Sequence, residues 1–175
     1  MARNNSKGCG TIMRFAPIAL MFPRYQVRRM AIETSALTHG HVTGQLAAAV
    51  WGEMLAGVVA SAALEESATR TAEIYARLEG GEETVRAIQA ALAAPRDATA
   101  ETVESLGGGR TAEEALSIAL YACLTGNCFE KALAIAVTHG GDSDSTGSIA
   151  GNMLGLLDPA TVLRHRWLQS LKVRI

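Results

Sequence analysis

Cysteine, aromatic residues and net charge are all scarce in this chain of 175 residues. The three cysteines, Cys9, Cys123 and Cys128, are too few and too scattered for a disulfide framework. The Cys123/Cys128 spacing is no zinc pattern either, and the histidines are not placed to complete one. Aromatics make up 5% while alanine fills 31 positions, a mix that predicts closely packed helices rather than a sheet. Sixteen basic residues against seventeen acidic ones leave a net charge of -1, so neither nucleic acid nor an anionic membrane is an expected partner. No secretory signal is visible, because Met1 is followed by Ala-Arg-Asn-Asn-Ser-Lys, and the expected location is the cytoplasm. The one long apolar run, Leu46 to Leu64, spans 19 residues. It carries Glu53 and is rich in alanine and glycine, which predicts a buried core helix rather than a membrane span.

What is present is a globular composition, 49% hydrophobic and 19% charged, long enough for one domain over residues 1–175. Periodicity predicts helices over Tyr25–Leu37, Thr43–Glu66, Ala68–Leu78 and Glu82–Ala94, the last stopped by Pro95. Residues 1–14 read as loop, and residues 95–110, with Gly107-Gly108-Gly109, read as a connection. Thr111 followed by Glu114 has the spacing of a capping box; Gly126 ends that helix, and Asn127 with Glu130 is expected to open the next in the same way. A helix through Ile149–Leu157 and a terminal one starting at Asp158-Pro159 complete an all-α chain with no strand and no internal repeat. Arg164, Arg166, Lys172 and Arg174 read as one solvated face of that terminal helix.

Three segments carry candidate chemistry. In Gly140-Gly141-Asp142-Ser143-Asp144-Ser145-Thr146-Gly147, two carboxylates sit two positions apart at a helix mouth. Like charges so close raise each other's pKa unless a cation lies between them, and hard oxygens favour Mg²⁺, Mn²⁺ or Ca²⁺ over zinc. The plainer reading is that either aspartate caps the helix. The loop Ser6-Lys7-Gly8-Cys9-Gly10-Thr11 offers glycines for close approach, with a hydroxyl, an ammonium and free N–H groups suited to phosphate or ribose oxygens. Its plainer reading is an ordinary glycine turn. In Thr38-His39-Gly40-His41, a histidine at a helix break is either a donor to a ligand or a cap. Arg14 is expected to be structural and paired with a carboxylate.

Taken in order, these segments carry a resemblance. Ser6 through Pro17, Thr38-His39-Gly40-His41 and Gly141 through Gly147, with Gly109 to Leu116 and Ala119-Leu120-Tyr121, resemble the ADP-ribosylglycohydrolases. These include dinitrogenase-reductase-activating glycohydrolases, and some J1 crystallins are similar to them. The resemblance implies a compact orthogonal helical bundle with two divalent cations, usually Mg²⁺, beneath an ADP-ribose site. It implies that Asp142, Asp144 and Ser145 are metal ligands, with Ser145 where many members have threonine. It places Ser6, Lys7, Gly8, Cys9 and Gly10 in the loop that wraps ADP-ribose, Cys9 replacing a common asparagine, and His39 near the distal ribose. The implied reaction is hydrolysis of the bond between ADP-ribose and a protein side chain, so ADP-ribose or an ADP-ribosylated protein is the expected partner. Members of the family begin well before the position matching Met1, and their Thr-Asp-Asp cluster and acid/base residue fall in that earlier part. The expectation is therefore a C-terminal portion without the N-terminal helices, binding cations weakly and turning over little alone. Self-association or a complementing N-terminal chain is an expected partner, and a non-catalytic ADP-ribose-binding or structural remnant is the alternative reading.

Overall fold

The computed structural model describes residues 1–170; the Lys172 and Arg174 part of the basic face lies outside them. Among the described residues every regular element is a helix, and one isolated antiparallel bridge joins Gly8 to Thr111. In chain order the helices are α1 (Gly10–Met13), α2 (Ala16–Met21), α3 (Arg24–Ser35), α4 (Val42–Val59), α5 (Leu64–Tyr75), α6 (Glu82–Ala93), α7 (Ala100–Ser105), α8 (Ala112–Thr125), α9 (Phe129–Val137), α10 (Ser143–Leu157), α11 (Pro159–Arg164) and α12 (Arg166–Ser170).

Helix α4 is the axis of the bundle, with α1, α2, α3, α5, α6, α8 and α10 all packed against it. It is the one helix among the described residues long and apolar enough to cross a membrane, and 72% of it is buried by its neighbours. A helix apolar on all sides needs neighbours on all sides. Gly52 makes room for them: a methyl there would lie 3.0 Å from both Phe15 and Val27. The largest buried side chains, Trp51, Tyr75, Tyr121 and Phe15, come from α4, α5, α8 and the α1–α2 joint, so one continuous core runs through the chain.

The expected helix Thr43–Glu66 is two helices. Chain reversal at Ser61, whose φ is 66°, closes α4 with bonds from Ser61 N to Val58 O and from Ala62 N to Gly57 O. Glu65 and Glu66 then sit in the first turn of α5, where the helix dipole favours acids. No glycine or proline marks this break, so composition hides it. The connection 95–110 contains the short α7, started by Thr99 accepting from Thr102 N at 3.2 Å. Likewise α1 interrupts the expected loop 1–14. The capping box at Thr111/Glu114 is present. The second expected box is not: Cys128 occupies the N-cap of α9, and Glu130 instead accepts from His165 at 2.9 Å and Arg166 at 3.1 Å. Asp158 caps α11 as expected, accepting from Thr161 N at 3.1 Å.

Candidate functional site

The glycine loop is held from two sides. On one side Asn4 acts as a clamp: its Oδ1 accepts the N–H groups of Ser6 (3.0 Å) and Gly40 (3.1 Å), and its Nδ2 donates to Thr38 O at 3.0 Å. Ser6 O accepts His41 N at 3.2 Å. On the other side Ala112 N donates to Lys7 O at 2.8 Å and Cys9 N to Arg110 O at 3.0 Å, which ties the loop to the start of α8. The start of α4 lies directly beneath, since a methyl on Gly44 would sit 3.2 Å from Lys7 Cα, and Thr11 Oγ1 donates to Gly44 O at 3.0 Å.

Within the loop, side chains alternate in direction. The Cys9 thiol is buried and donates to Asp142 Oδ2 at 3.3 Å, with Ser145 also in hydrogen-bonding reach. Burial raises the thiol's pKa above its ordinary value, so it stays a protonated donor and is no nucleophile. This contact joins the loop to the acidic motif across 133 residues of sequence. Gly8 and Gly10 face the other way. Methyls on them would lie 3.3 Å and 3.6 Å from the His39 ring, so the imidazole rests close against this stretch of backbone, most tightly at Gly8.

The acidic motif is set by a second glycine run. Asp142 N donates to Gly108 O at 2.8 Å, Gly109 has φ +72°, and a methyl on Gly109 would lie 2.8 Å from Thr146 Cγ2. His139 closes the turn, with Nδ1 accepting Gly141 N at 3.0 Å and Nε2 lying 3.1 Å from Ala136 O. Asp142 thus ends up half-buried, Asp144 exposed and Ser145 buried. Burial pushes the Asp142 carboxyl up, but hydrogen bonding to Asp144, Cys9 and Ser145 outweighs it and holds the group below its ordinary value. Two carboxyls in such reach of each other need a proton or a cation between them. Two carboxylates and a hydroxyl are hard donors that fit part of a Mg²⁺ shell. Among the described residues no three His, Cys, Asp or Glu side chains gather as a closed metal cage.

The protonation of His39 follows from its neighbours. Arg14 Nη2 donates to Thr38 Oγ1 at 2.5 Å, leaving the Thr38 hydroxyl to donate to His39 Nδ1 at 2.7 Å. With the Thr38 hydroxyl as the donor, Nε2 carries the proton of the neutral ring. Arg14 is not carboxylate-paired as the sequence suggests; it is exposed and serves Thr38. Burial first, then the nearby Arg14 charge, lowers the His39 pKa. His41 takes the plainer role of helix cap, its Nδ1 accepting Thr43 N at 3.1 Å. Ser6 is exposed, with Oγ accepting Gly8 N at 3.3 Å. The Lys7 ammonium turns inward to Glu83 Oε2 at 2.9 Å and to Glu113, so the residue offers a ligand its N–H rather than its charge.

Helices α1, α4, α8 and α10 all begin against this loop, so their N-terminal ends lie together around it. The N–H groups of Lys7 and Gly10 have no acceptor among the described residues. Free N–H groups at helix starts suit an anion such as a phosphate. Cavities of about 540 Å³ beside Arg28 and Glu53 and about 490 Å³ beside Glu130 and His165 lie elsewhere on the surface.

The family model of the ADP-ribosylglycohydrolases matches residues 1–174. The chain belongs to this family. It is also 32% identical over 177 residues to an uncharacterised protein of Archaeoglobus fulgidus, a match that covers 97% of this chain and 55% of that protein. As an ADP-ribosylglycohydrolase relative, the chain brings together Cys9, Asp142 and Ser145 directly, places His39 against Gly8 and Gly10, and leaves Asp144 at the exposed edge. Sequence reading missed Asn4, Thr38 and Gly108, which position the loop, the histidine and the acidic motif. Asn4 and Gly108 each lay inside a run of turn formers that carried no sign of a specific partner.

Proposed function

We propose that this chain is the ADP-ribose-binding portion of a Mg²⁺-dependent glycohydrolase that removes ADP-ribose from modified protein side chains. The contact of Cys9 Sγ with Asp142 Oδ2 at 3.3 Å carries this reading, because it makes the anion-binding loop and the hard-oxygen donors one site. The Lys7 and Gly10 N–H groups, with the helix ends behind them, would hold the diphosphate. The His39 Nε2–H would donate to a ribose oxygen. Asp142, Asp144 and Ser145 would hold Mg²⁺, which when bound orients ribose hydroxyls and water. The Cys9 thiol and the Gly108 carbonyl fix Asp142 for that purpose without touching substrate. In hydrolysis, water adds to the anomeric carbon and the protein side chain leaves with a proton.

Two carboxylates and one hydroxyl are a small donor set for such a task, and that favours a second reading in which this chain binds ADP-ribose with little turnover of its own. The first reading requires the metal half-site; under the second, ADP-ribose binding should depend little on Asp142 or on a cation. Paramagnetic Mn²⁺ is expected to broaden the Cys9, Gly10 and Asp144 amide signals first, and Asp144→Ala is expected to weaken this by roughly tenfold or more. Broadening spread evenly over surface carboxylates would remove the metal from the account.

Neutral His39 also sets a pH dependence. Its folded-state pKa lies below the ordinary 6.5, so its contribution is complete above that value and is lost as pH falls through the lower, folded pKa. Folding stability is expected to be flat above neutral pH and to decline on acidification, whereas His39→Gln should lack that part of the decline. Urea denaturation across the pH range checks both curves.

A further inference from the structure

Beneath the glycine loop lies a charged cluster that the proposed chemistry does not use. Lys7 Nζ meets Glu83 Oε2 at 2.9 Å and Glu113 Oε1 at still closer range. Thr43 Oγ1 donates to the same Glu83 oxygen at 2.9 Å. These partners lie 76 and 106 residues away in sequence and stand in the first turns of α6 and α8, while Thr43 stands in the first turn of α4. One ammonium thus ties two helix starts to the loop, and Glu83 brings in a third through Thr43. The second oxygen of Glu113 is buried and has no partner among the described residues, so that carboxylate depends on Lys7 for compensation. Glu113 first, and Glu83 next, raise the Lys7 pKa above its ordinary value, so the charge persists at neutral pH.

The main chain of Lys7 belongs to the site itself. Its carbonyl accepts Ala112 N at 2.8 Å, and its Cα rests on Gly44. Anchoring the side chain from below therefore fixes where the Lys7 N–H and the adjoining Gly8-Cys9-Gly10 segment point. A lysine aimed at the ligand would have been a mobile point charge; aimed at two carboxylates, it becomes a fastener. It also offsets two negative charges that would otherwise stand under an anion-binding face.

We propose that Lys7 is a positioning residue, which pins the glycine loop to the starts of α6 and α8 through Glu83 and Glu113 and so presets its N–H groups for the diphosphate. The ligand half of this statement rests on the ADP-ribose reading above; the pinning half does not. The test uses three variants of the whole chain. Lys7→Arg keeps the charge and should keep both properties. Lys7→Met strands two carboxylates and is expected to lose stability, so the deciding variant is Lys7→Met/Glu83→Gln/Glu113→Gln, which is neutral throughout. In that triple variant, amide exchange at Gly8, Cys9 and Ala112, whose N–H groups are hydrogen-bonded to or within the loop, is expected to quicken by roughly tenfold or more relative to the core of α4, and ADP-ribose affinity to fall by a similar factor. Loop exchange as slow as in the wild type, or faster exchange with unchanged affinity, would overturn the proposal. A wild-type chain that does not bind ADP-ribose would overturn the functional reading, and the exchange rates alone would then decide whether Lys7 pins the loop.

Discussion

Gly141→Ala is expected to cost the protein about 2–3 kcal/mol and to lower its Mg²⁺ affinity by one to two orders of magnitude. A methyl at this position would lie 2.2 Å from the Gly108 carbonyl oxygen and 2.8 Å from its carbon. Both are backbone atoms, so no side-chain rotation relieves the clash, and one of the two segments has to move. The first bond lost is Asp142 N to Gly108 O at 2.8 Å, which sets the direction of the Asp142 carboxylate. The turn bond from Gly141 N to His139 Nδ1 at 3.0 Å goes with it. Gly151, inside α10, is the control, because a methyl there meets nothing within 4 Å. Gly151→Ala removes a helix-interior glycine without a clash and is expected to stabilise by about 0.5–1 kcal/mol. Urea denaturation gives both values. If the two variants behave alike, the close approach of Gly141 to Gly108 is wrong.

Trp51→Ala is expected to be the most damaging single core change, at about 3–5 kcal/mol. Trp51 lies near the middle of α4 with no exposed surface, in the helix around which the others pack. Its indole Nε1 is buried without a partner among the described residues. An unpaired buried donor costs roughly 1–3 kcal/mol, so Trp51→Phe, which removes that donor along with some volume, should be much milder than Trp51→Ala. Thermal unfolding of the two variants separates volume from polarity. An equal loss from both would mean that the indole N–H is satisfied and that its hydrogen bond matters.

The parts of this fold that were legible in the sequence are those written in local chemistry. Thr111 with Glu114, Asp158 before Pro159, and Gly126 closing α8 each act within a few residues, and each is found as expected. The break after Val59 was hidden because Ser61 takes a left-handed conformation without glycine, in a turn held by bonds to the last turn of α4. The site divides in the same way. Glycines, aspartates and a histidine in three short segments announced their chemistry, but nothing local says that Lys7 turns toward Glu83 and Glu113, or that Cys9 reaches Asp142. Those choices arise where helices from distant parts of the chain begin side by side. Asn4 is the clearest case: its amide satisfies three backbone groups in two segments, yet in the sequence it is one polar residue among several.

The central claim is that the glycine loop and the acidic motif form one site whose ligand binding depends on a divalent cation. Calorimetric titration of the whole chain with ADP-ribose, with and without Mg²⁺, tests it most directly. Binding is expected to be stronger with Mg²⁺ than without it, and in an Asp144→Ala chain to be weaker and no longer responsive to the cation. Binding of equal strength in both buffers, or none in either, would contradict it.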